Sequence, residues 1–384
     1  MILPGYRPAW MSEELEMLSA AATRFAREEI APNDDKWRAA HRVDQATWKK
    51  AGELGLLLAD VPEAYGGAGG HFGHEAVIYR ALASVGDSAF VPGRSVHAIV
   101  SHYLLACGTE AQRRRWLPAM ASGACVGAIA MTEPGAGSDL QGVRTRAERR
   151  GDHYLLNGAK TFISNGLNAG FVIVVTKTDP QQGAKGISLL LVETDTPGFR
   201  VGRVLEKLGM DGQDTCELFF DDCLVPAENL IGGAEGLGFA QLMQQLPYER
   251  AIISVSAAAA IERALALGVA YTKERQAFGK ALIELQNTRF VLAEVKSLAT
   301  VARVFNDFLV ERVIAGELDS VTASIGKWWS TEEQCRAVDA CLQLFGGYGY
   351  MWEYPIARMY ADARVQKIYG GANEIMKELI ARSL

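Results

Sequence analysis

The central third of the chain alternates short apolar runs with turn-forming residues, and no helical pattern lies between the runs. The runs fall at residues 154–156, 171–175, 187–192 and 218–220, and Gly, Pro, Asn or Asp follow each one. Parallel βαβ units need a helix between their strands, whereas consecutive strands without one pair most simply as antiparallel neighbours. The pattern therefore predicts an antiparallel β domain over residues 125–234, with a turn at Asn157-Gly158.

Helical periodicity dominates on both sides of this domain. Before it, Ser12, Asp44 and Thr109 each stand at the start of a run with helical spacing, which predicts three capped helices. After it, longer runs predict helices that pair as an antiparallel bundle, over residues 236–272, 284–314, 318–344 and 372–382. We therefore predict an α+β protein with an N-terminal α-helical domain (1–124), a middle β domain (125–234) and a C-terminal helical bundle (235–384).

Composition restricts the classes of protein that remain. The chain of 384 residues carries a net charge of −6, which disfavours a general nucleic-acid or anionic-membrane binder. Its most apolar run, residues 255–271, is interrupted by Glu262 and Arg263, which predicts no membrane span. The early Glu13 and Glu14 argue against a secretory leader. We expect a cytoplasmic protein, or a mitochondrial matrix protein if the chain is a processed form.

Cysteine, histidine and glycine patterns disfavour several common sites. The six cysteines form no CxxC pair and the six histidines no HExxH, so we expect reduced cysteines and no metal site. No GxGxxG joins a strand to a helix, and P-loop and GxSxG motifs are absent. Nicotinamide-dependent Rossmann enzymes, P-loop phosphotransferases and α/β-hydrolase esterases are therefore disfavoured.

Two motifs of the β domain have the composition of a ligand-binding edge. Residues 131–139 read MTEPGAGSD, in which Pro and Gly force a turn with outward N–H groups beside the hydroxyls of Thr132 and Ser138. Such a turn suits a phosphate or a flavin edge, and an ordinary β-turn is the alternative. Residues 160–166 read KTFISNG, in which Phe162 can cover a planar ring; an ordinary strand end is the alternative.

Three further motifs follow in the C-terminal third. Residues 275–279 read RQAFG, with Gln286 beyond them, and an arginine fork suits a pyrophosphate. The alternative is a helix end with a favourable cation and a glycine cap. Residues 343–350 read QLFGGYGY and residues 368–375 read IYGGANEI, where glycines would let a ligand approach the backbone.

In this order and on this α–β–α frame, the five motifs resemble those of the acyl-CoA dehydrogenase family of flavoproteins, over essentially the whole chain. The resemblance implies a non-covalently bound FAD between the β domain and the C-terminal helices. It also implies homotetramers in which a neighbouring subunit completes each FAD site. The FAD contacts implied by motif position are Ile129, Met131, Thr132, Gly137, Ser138, Phe162, Ile163, Ser164, Arg275, Phe278, Gln286, Gln343, Leu344, Phe345, Gly346, Gly347, Ala372, Asn373 and Glu374.

The resemblance also implies a reaction. A carboxylate removes the α-proton of an acyl-CoA thioester, and the β-hydrogen passes to flavin N5 as a hydride, which yields the trans-2-enoyl-CoA. The electrons then pass to an electron-transfer flavoprotein. In many members the carboxylate belongs to a Glu after an Ile-Tyr pair near the C-terminus, where this chain has Gly370. This chain therefore needs a different base.

Glu249 is the candidate for that base. At helical spacing it shares a face with Ile252, Ile253 and Ser256, and a carboxylate on a mostly apolar stripe is costly unless it is paired or functional. From the residues alone, a solvated Glu at the edge of the stripe is the alternative. The long-chain and isovaleryl branches of the family carry the catalytic Glu on this helix, before an Arg, as Glu249 stands before Arg250.

The resemblance also indicates how the substrate is held. Gly370 and Gly371 would offer a backbone N–H to the thioester carbonyl, as an oxyanion hole does. Lys185 is a candidate for a CoA phosphate contact, with a solvated turn lysine as the alternative. The substrate contacts that we expect are Ser138, Ala184, Lys185, Pro247, Tyr248, Arg250, Gly370 and Gly371.

Three other interpretations stay open. An acyl-CoA oxidase or a flavin-dependent monooxygenase would keep the fold and the FAD, and a non-catalytic relative would keep only the fold. The carboxylate at position 249 favours dehydrogenation. Gly370 leaves room near the reacting carbons, which is consistent with long or α-branched acyl groups. Both classes of acyl group stay open.

Overall fold

The N-terminal part of the chain is helical, and several helices begin at the predicted caps. The computed structural model describes residue 3, residues 5–85 and residues 89–384. Within them this part contains α1 (Glu13–Phe25), α2 (Asp34–Ala40), α3 (Gln45–Glu53), α4 (Phe72–Val85), α5 (Phe90–Cys107) and α6 (Glu110–Ala121). The side chains of Ser12, Asp44 and Thr109 cap α1, α3 and α6, which confirms those three predictions.

The middle of the chain forms one sheet. Its strands are β1 (Val126–Ala130), β2 (Arg146–Arg150), β3 (His153–Ser164), β4 (Ala169–Lys177), β5 (Ile187–Glu193), β6 (Phe199–Val204) and β7 (Thr215–Pro226). The strand order is β1-β4-β2-β3-β7-β6, and β5 also pairs with β4. The predicted β domain is confirmed, but the sheet is mixed, because β1 runs parallel to β4 and β2 meets β4 in parallel at one position.

β3 continues through Asn157-Gly158, where the sequence predicts a turn. The register between β3 and β7 shifts between Leu156 and Gly158, and Gly158 has a φ of 152°. A β-bulge uses the same permissive residue types as a turn while the strand continues. The predicted turn is therefore wrong, and the run at 154–156 and the KTFISNG segment belong to one strand.

β4 is apolar on both of its faces. Phe171, Ile173 and Val175 pack into a core shared with the N-terminal helices and with α7 (Gly238–Glu274). Val172 and Val174 pack into a second core on the opposite face of the sheet. Because successive side chains of a strand alternate between faces, β4 ties both cores to one element.

The C-terminal part of the chain is a bundle around α7. After α7 come a short hairpin of β8 (Gln276–Ala277) and β9 (Lys280–Ala281), then α8 (Gln286–Ile314), α9 (Ser320–Leu344), α10 (Pro355–Ala363) and α11 (Asn373–Ala381). The four predicted helices are confirmed within two residues at each end, whereas α10 is not predicted. α7 runs on through Pro247. The three domain boundaries drawn from the sequence stay a prediction.

α7 is also long enough and apolar enough, by length and composition alone, to cross a membrane. Among the described residues it is the one helix with this property, which the sequence analysis did not expect. Of its most apolar window, 56% is buried inside the fold. α7 packs against α4, α8 and α9, so its apolar side chains contribute to the protein core.

Arg38 on α2 joins the three parts of the chain. Its guanidinium pairs with Asp34 at 2.9 Å, with Asp211 before β7 at 3.6 Å, and with Asp362 on α10 at 3.0 Å. Arg38 is buried, so solvent screens these pairs less than it screens surface pairs. The cluster holds the N-terminal helices against the sheet and the bundle.

Candidate active site

Glu249 lies on α7 in the interior of the protein. It is 6% exposed, and Ile252 and Ile253 are buried beside it, as the apolar stripe predicts. The hydroxyl of Tyr103 on α5 donates a hydrogen bond to Glu249 Oε1 at 2.7 Å. Glu249 Oε2 accepts no hydrogen bond from any residue that the structure describes. The carboxylate therefore has one oxygen held and the other available for a proton.

The surroundings of Glu249 make it more basic than an ordinary glutamate. Burial raises its pKa, and the Tyr103 hydrogen bond and the charge of Arg250 oppose that shift without cancelling it. A carboxylate with a raised pKa holds an abstracted proton more firmly at physiological pH. Arg250 is itself buried, and its Nη1 donates to the hydroxyls of Ser320 (3.3 Å) and Ser324 (3.2 Å).

Gly370 and Gly371 lie beside this part of α7. A Cβ added to Gly370 would be 2.4 Å from Ile253 Cδ1, and a Cβ added to Gly371 would be 4.0 Å from Arg250 Nη2. Ile253 is one helical turn beyond Glu249. The structure thus brings together the two segments that the sequence analysis assigned to the base and to the thioester carbonyl.

Lys327 on α9 fixes the backbone after these glycines. It is fully buried, and its Nζ donates to the carbonyl oxygen of Gly371 at 2.7 Å and to Asn373 Oδ1 at 3.0 Å. Burial lowers the pKa of Lys327 to about 8, and the nearby Arg250 charge acts in the same direction. The buried ammonium holds the Gly371 peptide and the start of α11 in one arrangement.

The MTEPGAGSD turn rests on a buried ion pair. Lys160 Nζ donates to Glu133 Oε1 at 2.9 Å and to the Met131 carbonyl at 3.0 Å. The other contacts of the Glu133 carboxylate are the backbone N–H groups of Arg144 (2.6 Å) and Thr145 (2.9 Å). Burial lowers the pKa of Lys160 to about 8. The pair fixes both arms of the turn, while Gly137 and Ser138 at its tip are exposed.

Phe162 projects from the neighbouring strand end. It is 66% exposed and has a φ of 59°, in the left-handed region that a bulky residue rarely adopts. Ile163, which follows it, is buried in the sheet core. The backbone N–H of Thr161 donates to the Thr132 carbonyl at 3.0 Å, so the two predicted motifs of the β domain are neighbours.

The RQAFG motif forms a hairpin at the surface. Phe278 is 90% exposed, and the Arg275 guanidinium lies 5.8 Å from the ring centre of Tyr348, so the motif meets the QLFGGYGY segment. Gln286, Gln343, Gly346 and Gly347 are exposed, and Leu344 is half-buried. The contact between Arg275 and Tyr348 brings the two segments together, whereas the ring of Phe345 is buried against Tyr271 at 4.0 Å between ring centres.

Five other predicted contacts have distinct surroundings. The Asn373 side chain is buried, and its amide donates to Thr331 Oγ1 at 3.1 Å and to Glu332 Oε2 at 3.3 Å, which leaves its backbone for a ligand. Glu374 is exposed on the first turn of α11, beside the half-buried Ala372. Ala184 and the exposed Lys185 lie in a short 3₁₀ turn before β5.

Sequence reasoning missed several residues that shape the site. Tyr103 lies 146 positions before its partner Glu249, and nothing local to it indicates that contact. Lys160 was noted only as the first residue of a motif, and Lys327 gives no signal beyond a cation on a mixed helix face. A single buried lysine is recognisable only when its surroundings are known.

The helical N-terminal part, the central sheet and the helical bundle with its buried Glu249 carboxylate are matched, part by part, by models of one protein family. Family models match for the acyl-CoA dehydrogenase N-terminal domain (12–124), middle domain (128–223) and C-terminal domain (236–384). The chain belongs to the acyl-CoA dehydrogenase family, whose members are FAD-dependent enzymes.

Individual relatives cover almost the whole chain. It is 46% identical to the mitochondrial long-chain specific acyl-CoA dehydrogenase of Mus musculus, over 97% of this chain and 87% of that one. The crystal structure of an acyl-CoA dehydrogenase from Geobacillus kaustophilus matches with a TM-score of 0.95 and 44% identity, over 98% and 99% of the two chains. A structure described for the electron transferring flavoprotein of Acidaminococcus fermentans matches with a TM-score of 0.94 and 34% identity, over 98% and 99%.

The residues present fit an FAD. A Cβ added to Gly135, Gly137, Gly346 or Gly347 would meet no atom within 4 Å, so the backbone at both glycine segments is open to a ligand. Phe162 and Phe278 are large aromatic side chains left uncovered on the surface, and planar rings cover such groups well. Arg275 adds a fork donor of the kind that binds a pyrophosphate.

Proposed function

We propose that this chain dehydrogenates an acyl-CoA thioester to the trans-2-enoyl-CoA, with Glu249 as the base that removes the α-proton. The observation that carries the proposal is the buried Glu249 carboxylate, which bonds Tyr103 through Oε1 and leaves Oε2 without a donor among the described residues. A carboxylate in this state is the arrangement that general-base catalysis requires.

In this reaction, Glu249 and the Gly370-Gly371 backbone have separate roles. Glu249 Oε2 takes the α-proton and becomes a neutral acid, a form that burial favours over the charged one. Backbone N–H groups at Gly370 and Gly371 donate to the thioester carbonyl as negative charge develops on its oxygen. FAD, when bound, supplies the acceptor for the β-hydrogen, which leaves as a hydride.

Other groups would hold the substrate and the cofactor. Pro247, Tyr248 and Arg250 flank Glu249 along the acyl-CoA channel, and Ser138 lies between the cofactor and the substrate. Lys185, exposed in its turn beside Ala184, contacts a CoA phosphate. For FAD we propose the same contacts that the motifs imply, with Phe345 and Asn373 contributing backbone only, because their side chains are engaged within the protein.

The assembly that we propose is a homotetramer. Phe290, Val301, Val304 and Phe308 are exposed along one side of α8, at spacings that put them on a common stripe. A stripe of this kind on an isolated chain is typical of a helix that packs against another subunit. The exposed Phe278 adds to the same argument at the RQAFG hairpin.

The electron acceptor that we propose is an electron-transfer flavoprotein. The likeness to the Acidaminococcus fermentans structure supports this partner. The named relatives include a mitochondrial and a bacterial protein, so we retain a cytoplasmic or a mitochondrial matrix location. For the substrate we propose long or α-branched acyl groups, in line with the long-chain mouse relative and with the room left at Gly370.

Anaerobic flavin bleaching against a panel of straight and branched acyl-CoAs tests the proposed reaction. We expect rapid bleaching of the oxidised flavin band by at least one long or branched acyl-CoA, with the matching enoyl-CoA as product. Purified protein that holds FAD yet is bleached by no member of the panel would contradict the proposal. Fast reoxidation of the bleached flavin in air would assign the chain to the oxidases instead.

A further inference from the structure

Tyr103 has the geometry of a group that holds the base in place. Its side chain and that of Glu249 are both buried, and the hydroxyl-to-carboxylate distance of 2.7 Å is that of a strong charge-assisted hydrogen bond. A tyrosine ring has few rotatable bonds, so its hydroxyl is fixed once its ring is packed. Because Tyr103 occupies Oε1, the free Oε2 is the oxygen left for the substrate.

A second set of residues joins α5, which carries Tyr103, to α7, which carries Glu249. We define the Asp60 clamp as Asp60, His102 and Tyr248. His102 Nε2 donates to Asp60 Oδ1 and the Tyr248 hydroxyl donates to Asp60 Oδ2, each at 3.0 Å. The rings of His102 and Tyr248 are stacked with centres 3.7 Å apart. The clamp thus links α5 and α7 through the Asp60 carboxylate.

The clamp sets the register between the two helices. His102 and Tyr103 are consecutive on α5, and Tyr248 and Glu249 are consecutive on α7. The His102–Tyr248 stack therefore lies one residue away from the Tyr103–Glu249 hydrogen bond on both helices. A slip of α5 along α7 would break both contacts together.

The loop that carries Asp60 is itself anchored. Glu75 Oε1 accepts from the Ala59 N–H at 2.9 Å, and Arg94 Nε donates to the Leu56 carbonyl at 2.7 Å. Glu75 and Arg94 also pair with each other at 2.8 Å, fully buried. A buried polar network whose members pair with one another rigidifies the segments that it joins, so these bonds hold the loop that carries Asp60 in place.

We propose that Tyr103 is a positioning residue for proton abstraction: it holds the Glu249 carboxylate in one orientation, and the Asp60 clamp keeps Tyr103 there. The inference rests on the proposed function of Glu249 and extends it to Tyr103, which acts through the Glu249 carboxylate. Its physical content is that the Tyr103 hydroxyl stabilises the ionised base and thereby sets the pH at which the base becomes active.

The other charged and titratable groups around the pair limit what can explain such an effect. Among the described residues, the charge of Arg250 on α7 acts on Glu249, and Cys107 on α5 acts on Tyr103. The groups on the elements packed nearby include His102 and Arg94 on α5, Tyr248 on α7, Glu75 on α4, Asp60 before α4, Lys327 on α9 and Glu374 on α11. Within the part of the chain that the structure describes, Tyr103 alone donates a hydrogen bond to the Glu249 carboxylate. A substitution that removes only that donor therefore reports on it.

Tyr103→Phe tests the inference through the pH dependence of flavin reduction. Losing the donor raises the pKa of Glu249 further, so the acid limb of the reduction rate should move upward by about one pH unit. Tyr154→Phe is the matched control, because the Tyr154 hydroxyl on β3 donates to Glu235 Oε1 at the same 2.7 Å. An acid limb that stays in place in Tyr103→Phe would overturn the inference.

Thermal stability gives a readout independent of activity. The lost hydrogen bond is stronger to the ionised Glu249 carboxylate than to the neutral acid, so the gap in melting temperature between wild type and Tyr103→Phe should widen as the pH rises. A gap that is constant with pH would mean that Tyr103 acts through packing alone, which contradicts the inference. This measurement needs no substrate.

His102→Gln tests the clamp. It removes the ring stack, and we expect the acid limb to move in the same direction as in Tyr103→Phe, but less. In the Tyr103→Phe background the His102→Gln effect should disappear, because the route through Tyr103 is gone. If the shifts caused by His102→Gln and Tyr103→Phe simply add in the double variant, the proposed role of the clamp is wrong. An active Glu249→Gln variant would contradict the proposed function itself, whereas an inactive one with an unshifted Tyr103→Phe would contradict only this inference.

Discussion

Gly370 lies directly against Ile253, with its absent Cβ position 2.4 Å from Ile253 Cδ1. Ile253 is one turn beyond Glu249 on α7. The Ile253 side chain therefore occupies the space that a side chain at position 370 would need. The commoner family pattern, with a Glu at this C-terminal position, would need that space. The absence of a side chain at 370 and the presence of a carboxylate at 249 are therefore two parts of one arrangement.

Gly370→Ala should impair both stability and catalysis. Gly370 has a φ of 63°, where an L-residue costs about 1–2 kcal/mol, and the new methyl would press on Ile253. The control is Gly316→Ala, since Gly316 has a φ of 70° but no atom within 4 Å of its Cβ position. Both variants should melt at lower temperature, and only Gly370→Ala should slow flavin reduction. Equal activity in the two variants would contradict the account.

Lys160→Met should weaken the binding of FAD. The substitution leaves the buried Glu133 carboxylate without its cation, a change that costs about 3–5 kcal/mol and frees the MTEPGAGSD turn. Flavin occupancy after purification and the melting temperature are the measurements. Lys177→Met, at a half-buried lysine on β4, is the control and should keep its flavin. Full flavin occupancy in Lys160→Met would contradict the role of the Lys160–Glu133 ion pair in shaping the turn.

Glu249→Gln should change how stability depends on pH. The folded-state pKa of Glu249 is raised above its ordinary value of 4.5. Protonation of Glu249 therefore stabilises the folded state, fully below its ordinary pKa of 4.5, and this stabilisation is lost as the pH rises through the folded-state pKa. Wild type should therefore lose melting temperature relative to Glu249→Gln as the pH rises. Glu206→Gln, at an exposed glutamate, is the control. Parallel curves for wild type and Glu249→Gln would mean that the carboxylate is solvated.

Arg275→Ala should reduce FAD retention. Arg275 is the cation of the RQAFG hairpin and lies over Tyr348, beside the second glycine segment. Arg200→Ala is the control, because Arg200 also lies over an aromatic ring, Phe219 at 4.3 Å, but in the middle domain. The ratio of flavin to protein after dialysis separates the two. Equal ratios would contradict the assignment of Arg275 to the cofactor.

Local signals predicted much of the architecture. The caps at Ser12, Asp44 and Thr109 were readable because each side chain bonds a backbone N–H three residues on. Asn157-Gly158 misled, since the same residues suit a turn and a bulge. The parallel pairing of β1 with β4 was not readable, because it joins segments some forty residues apart and leaves no turn between them.

The candidate site divides in the same way. Glu249 was identifiable from two signals together, a charge on an apolar stripe and the resemblance to family branches that carry the base on this helix. Its burial agrees with the first signal. Tyr103, Lys327 and Asp60 were not identifiable, since their meaning lies in contacts between distant segments. Residues that act directly on a substrate leave a local signal more often than residues that hold them in place.

The most direct test of the account is the rate of anaerobic flavin reduction in Glu249→Gln, mixed with the acyl-CoA that bleaches wild type fastest. A glutamine keeps the shape and the Tyr103 contact but cannot take a proton. We predict yellow, FAD-loaded protein whose reduction is slower by a factor of about 10²–10⁴. Reduction at the wild-type rate would show that another group removes the α-proton and would refute the central role of Glu249.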